Sequence, residues 1–113
     1  MKSDSKDFEN EVYRLQAEFC KGMANPKRVL ILNILKDGEK SVKELVEATG
    51  IPQSNLSQHL GLLRNLGLLE TRHQGSKVCY SLADMRVAKA CELVRSAIAE
   101  RLRKANKMME VTK

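Results

Sequence analysis

Residues 49–70 read TGIPQSNLSQHLGLLRNLGLLE, and two patterns are superimposed in them. Leucines recur at helical spacing, yet the first turns carry Gln53, Ser54, Asn55, Ser57, Gln58 and His59. Such short hydroxyl and amide groups are poor clothing for a solvated helix face, where Glu, Lys and Ala are usual. At about 100° per residue, Leu56, Leu60 and Leu63 gather on one side. Ser54, Gln58, Gly61 and Asn65 fall roughly opposite, and Asn55 and Ser57 flank them. One side is therefore anchored in a core, while the other offers hydrogen-bonding groups and almost no charge.

The segment just upstream supplies the partner of this helix. SVKE at 41–44 has capping-box spacing, in which the Ser41 hydroxyl and the Glu44 carboxylate each satisfy a backbone N–H. The short helix so begun closes at Thr49–Gly50, where Gly suits a left-handed backbone, and Pro52 can open the next helix. A short helix, a glycine turn and a leucine-anchored helix make a helix-turn-helix. Its second helix lies in the DNA major groove with its N-terminal residues at base edges. Gln and Asn match adenine, and Ser serves at bases or phosphates. Gln53, Ser54, Asn55, Ser57 and Gln58 are thus candidates for base and phosphate contact. His59, about 60° from the leucine side, fits either a phosphate contact or a packed structural role. Gly61, costly within a helix, makes sense where the backbone must come near another surface.

Downstream the period changes to two. LLETRHQGSKVCYSL, at 68–82, alternates around a glycine-bearing apex and predicts a β-hairpin. Leu69 and Thr71, then Val78, Tyr80 and Leu82, form one face; Cys79 is expected on the outward face. A two-stranded basic ribbon after a recognition helix is the wing of a winged helix. Phosphate contacts position while base contacts specify, so Arg64 on the helix flank and Arg72 and Lys77 on the hairpin are the candidate phosphate ligands. For the hairpin pair the alternative is an ordinary solvated turn.

Upstream, Asn25 and Pro26 open a helix, KRVLILNILKDG, that is apolar nearly all round and hence central. Before it, Phe8, Val12, Leu15, Phe19 and Met23 form one helical stripe, preceded by a polar segment, residues 1–6, expected to be frayed. After the hairpin, from Asp84, the stripe Val87, Cys91, Val94, Ile98, Leu102, Ala105 and Met109 marks a long last helix. The expected architecture is mainly α: five helices with a two-stranded wing before the last, one domain over 1–113. Only four aromatic residues and no Trp are available to a core of this size, so neither terminal stripe is easily covered. Pairing with a second copy through first and last helices is the simplest solution. It also predicts a twofold dimer on an inverted-repeat operator. The rival is that the two helices cover each other within one chain.

Composition narrows the class. The net charge of +6 and pI near 9.4 favour a polyanionic partner. No apolar run approaches the roughly 18 residues of a membrane span. Three scattered cysteines do not form a secreted disulfide framework, so a reduced, cytoplasmic protein with no membrane association is expected. No convergent catalytic set or Gly-rich phosphate loop appears, which argues against an enzyme.

Three segments in order resemble the ArsR/SmtB family of small winged-helix repressors. They are MANPKRVLILNIL, the helix-turn-helix SVKELVEATGIPQSNLSQHLGLLRNLGLL, and GSKVCYSLAD running into the last helix. The resemblance implies a homodimeric transcriptional repressor of a double-stranded DNA operator, released when an effector is sensed. It also implies that Ser54, Asn55, Ser57, Gln58 and His59 lie at the groove. The chain departs from the family's metal sites. A Cys-Val-Cys triplet is replaced by Ser41, Val42 and Lys43. On the last helix Asp84 and Glu100 remain, but Arg86 and Ala97 stand at the histidine positions. Two carboxylates without imidazoles, beside an arginine, make a poor zinc site. No metal site and no required cofactor are expected, with Asp84 a helix cap and Glu100 a surface acid.

Cys20 and Cys91 remain as effector-sensing candidates, since packing of first and last helices would bring them together. A thiol switch is one possibility; a site for a thiophilic metal, arsenite or reactive sulfur is another. The alternatives are cysteines that only pack, in a dimer that binds DNA constitutively, or a winged helix used for protein contacts.

Overall fold

The computed structural model describes residues 2–112, with side chains described from 5 to 109. The element order is α1 (Lys2–Gly22), α2 (Pro26–Leu35), β1 (Lys40–Ser41), α3 (Val42–Thr49), α4 (Gln53–Asn65), β2 (Leu69–Gln74), β3 (Lys77–Leu82) and α5 (Met85–Thr112). Helix α1 begins at Lys2, so the polar segment expected to be frayed is, from that residue on, helical; Met1 lies outside the described residues.

Local chemistry sets the boundaries. Asn25 is extended and its Oδ1 accepts from the N–H groups of Lys27 and Arg28, at 2.9 and 3.3 Å, which starts α2 at Pro26. The Ser41–Glu44 capping box is complete: Glu44 N–H donates to Ser41 Oγ at 3.1 Å and Ser41 N–H to Glu44 Oε1 at 2.9 Å. Gly50 closes α3 in the left-handed region, φ 71°, and its N–H donates to Val46 O.

The core is aliphatic. Ile31, Leu32 and Leu35 of α2, Leu45 of α3, and Leu56, Leu60 and Leu63 of α4 are all fully buried. Phe19 and Tyr80 only flank this cluster. Burying a side chain of this size contributes roughly 1.5–3 kcal/mol, so these seven residues hold the three helices together.

The sheet differs from expectation by one strand. It is antiparallel with order β1-β3-β2, and Lys40 and Ser41 pair with Tyr80 and Cys79. A two-residue strand has no alternation for a sequence to display. Its presence also corrects the placement of Cys79, which is buried and not outward-facing. Arg72 stands opposite Cys79 on β2 and Ser41 opposite it on β1, and an Arg72–Glu39 ion pair spans that same face.

The terminal helices do not cover each other. Helix α5 packs on α2 near its start, but Leu93, Val94, Ile98 and Leu102 stay exposed, as do Phe8, Val12, Tyr13 and Leu15 of α1. The radius of gyration is 17.8 Å, against about 13 Å for a compact chain of this length. Where α1 ends, Gly22 is buried against Leu66, and a Cβ built there would overlap Leu66 Cδ1.

Candidate nucleic-acid interface

The tight turn before α4 is tied internally. Thr49 Oγ1 donates to Leu45 O at 2.6 Å and accepts from Ile51 N–H at 3.1 Å. Pro52 then leads into α4 without a side-chain cap, and no acid stands in the first turn. The opening N–H groups of α4 and the positive end of its dipole are therefore left to an anion or to water.

Leu56, Leu60 and Leu63, all at 0% exposure, fix the rotation of α4. That rotation turns Gln53, Ser54, Asn55, Ser57 and Gln58 to solvent. Among the described residues no side-chain hydrogen bond engages any of the five. The sequence-derived face thus exists as one surface of short, unengaged donors and acceptors. Beside it an open groove of about 900 Å³ runs between α3, the start of α4 and the wing, and Gln53 and Ser57 line it. Lys43 of α3 and Lys77 of β3 stand among its walls. Sequence reading passed over Lys43, because its place at the groove depends on how α3 meets the wing.

The flanking candidates divide. Arg64 is exposed on the last turn of α4, and Lys77 is exposed with no ion pair among the described residues. Arg72 is engaged: it donates to Glu39 through Nη2 at 2.6 Å and Nε at 3.1 Å, and Nη2 also reaches Gln74 Oε1 at 3.4 Å. The pairing holds the Glu39 carboxyl below its usual range and raises the guanidinium's. His59 is half-buried with Nδ1 3.5 Å from Arg28 Nη1. A guanidinium only donates, so Nδ1 is the acceptor and the ring carries its proton on Nε2. Burial, then the charges of Arg28 and Lys27, lower the His59 pKa. Arg28 Nε in turn donates to Gly22 O, so this residue links the end of α1 to α4.

The positions of the family metal sites hold other chemistry. Ser41 is a buried cap. Asp84 Oδ1 accepts from Arg86 N–H at 2.9 Å, and its carboxylate is gripped by the Arg86 guanidinium at 2.6–3.2 Å, which lowers its pKa to about 2. Glu100 pairs with Lys104 at 3.3 Å. Among the described residues no three of His, Cys, Asp and Glu converge as a metal site.

Of the two cysteines, Cys91 of α5 lies against the residue that follows α1, while Cys20 is exposed on the last turns of α1. Cys91 Sγ donates to Met23 Sδ at 3.5 Å, and Met23 N–H bonds to Cys20 O at 3.1 Å, placing Cys20 one turn back on the same helix end. Burial, then the neighbouring Cys20, raise the Cys91 pKa. Met23 was read from the sequence only as part of the apolar stripe.

No described helix is long and apolar enough to cross a membrane. Residues 25–71 match the family model described as bacterial regulatory protein, arsR family. An uncharacterized HTH-type transcriptional regulator of Mycobacterium tuberculosis is 39% identical over 89 residues, 78% of either chain. Its crystal structure matches with a TM-score of 0.72 over 82% of this chain and 94% of that one. The biofilm growth-associated repressor of Xylella fastidiosa is 39% identical over 93 residues, 82% of this chain and 75% of the repressor. The homodimeric winged helix-turn-helix DNA-binding domain of a possible ArsR-family regulator from Mycobacterium bovis has a TM-score of 0.76 at 32% identity, covering 85% of this chain and 89% of that one. By fold, sequence and coverage, the chain belongs to the arsR family of bacterial regulatory proteins and has their winged helix-turn-helix architecture.

Proposed function

We propose that the chain is a homodimeric transcriptional repressor that reads an inverted-repeat operator through α4 and is released by an effector. The observation that carries this reading is the exposed, uncharged amide and hydroxyl face of α4, held outward by three fully buried leucines. A surface evolved for protein contact would be richer in aromatic residues and Met. Base edges instead require groups that both donate and accept.

In this reading Gln53, Ser54, Asn55, Ser57 and Gln58 meet base edges and nearby phosphates. Lys77, Arg64 and Lys43 neutralise phosphates. Arg72 joins them only by exchanging Glu39 for the duplex. His59 acts from behind the helix, through Arg28. The exposed stripes of α1 and α5 pair with those of a second copy, as in the homodimeric relative from Mycobacterium bovis.

The test is fluorescence anisotropy on an operator selected from a random duplex library, set against a random duplex, across a salt series. Gln58→Ala should cost roughly 1–3 kcal/mol on the operator and little on random DNA. Lys77→Ala should weaken both alike and lower the salt slope by about one. Two variants that act identically on every sequence, or binding insensitive to salt, would refute the assignment.

A further inference from the structure

We infer that Arg28 is a positioning residue for operator binding: it locks the end of α1 to α4 through a neutral His59, and a proton on that ring opens the lock. The role in binding rests on the repressor reading; the lock itself does not. Arg28 stands half-buried in the first turn of α2, with its own N–H held by Asn25 Oδ1 at 3.3 Å. Its Nε donates to the carbonyl of Gly22, the last residue of α1, and its Nη1 lies 3.5 Å from His59 Nδ1 on α4. One planar group of α2 thus joins α1 to α4. Gly22 also packs against Leu66 at the C-terminal end of α4, so the two helices are tied at two places.

The chemistry of the tie makes it conditional. Among the described residues no carboxylate pairs with Arg28, whose partners are a carbonyl and an imidazole nitrogen. An imidazole nitrogen accepts only while it is unprotonated. With Nδ1 protonated, ring and guanidinium both only donate, and both are cations. The charges that act on the ring are those of Arg28 and Lys27 of α2, and both oppose the proton. Helix α4 holds no acid, its other charged side chain being Arg64, and the end of α1 meets the node through Gly22 O. Nothing takes over the contact once the proton arrives.

Base edges are read only when α4 keeps its orientation, whereas phosphate contacts carry no such sequence information. Operator binding therefore expels the proton, and preference for the operator falls as pH drops below the ordinary imidazole value of about 6.5. Acid ordinarily tightens the hold of a protein on DNA by adding positive charge, so the expected trend runs against the general one.

The experiment reads anisotropy of the full-length protein on the selected operator and on a random duplex, from about pH 5.5 to about pH 8 at fixed salt. Circular dichroism at each pH confirms the fold, and NMR of the free protein follows the ring nitrogens and backbone amides. The operator-to-random ratio should fall about tenfold or more across the acid half of that range. His59→Asn places an amide oxygen where Nδ1 stands and takes no proton; it should keep the neutral-pH ratio and flatten the profile. R28K keeps the charge but cannot reach both partners, and should lower the ratio at every pH. In the free protein the ring should carry its proton on Nε2 at neutral pH, and the Gly22 amide should move with the His59 titration in wild type but not in R28K. A ring protonated on Nδ1 at neutral pH, or a Gly22 signal indifferent to that titration, overturns the lock. A ratio flat across the range, a His59→Asn profile as steep as wild type, or an R28K protein that binds like wild type overturns the role in binding. A wild type that prefers no duplex at any pH overturns the repressor reading and that role with it, while the NMR result still decides the lock.

Discussion

A Cβ added at Gly61 would meet nothing within 4 Å, although the residue lies in the middle of α4. A glycine there costs about 0.5–1 kcal/mol relative to alanine, and no neighbour within the chain accounts for it. Gly61→Ala should therefore raise the urea midpoint by about that free energy while weakening operator binding, since the methyl group occupies space needed by the duplex. An alanine variant that binds unchanged would remove the case for close approach. The oddity of this glycine was legible in the sequence; the open space around it was not. His59 carries a second expectation at this scale. Its folded pKa lies below the ordinary imidazole value, so the unfolded chain binds the proton more readily. The stability it contributes is complete above roughly pH 6.5 and is lost as pH falls toward the folded value. Urea titrations at successive pH values should show a slope in that window that His59→Asn abolishes; an equal slope in both proteins would contradict a pKa lowered by burial of the ring and by Arg28.

Ser41 serves two elements at once, ending β1 with a backbone pair to Cys79 and capping α3 with its hydroxyl. Ser41→Ala keeps the strand pairing but removes the acceptor of the Glu44 N–H. It should cost about 1 kcal/mol, read from the urea midpoint, with faster hydrogen exchange at Glu44. A neutral substitution would show that the strand, not the cap, sets the start of α3. The capping box, the glycine turn and the leucine face were all readable because each is a pattern within one or two helical turns. The groove-facing candidates on α4 shared that advantage. Interactions closed over long sequence distances were not: β1 finds β3 about forty residues on, Arg72 is taken by Glu39, and Cys79 is covered as a result. Lys43 and Met23 gained their surroundings in the same way, from elements far away in the chain.

Across the whole molecule, the apolar stripes of α1 and α5 are left open and the chain is far less compact than its length allows. In the proposed dimer this surface is shared with a second copy, and folding and association would then be one equilibrium. The thermal midpoint should accordingly rise with protein concentration. A variant combining Ile98→Glu and Leu102→Glu should sediment as a monomer and bind the operator far more weakly. A double variant that remains dimeric would place the interface elsewhere. The contact of Gly22 with Leu66 carries a mechanical consequence for such an assembly. With no side chain between them, the N-terminal arm and the C-terminal end of α4 share a joint without slack. A tilt imposed on one is handed to the other instead of being absorbed by a compressible layer. In the proposed dimer, the same joint means that any remodelling of the subunit boundary during evolution would also re-aim the helix assigned to the duplex.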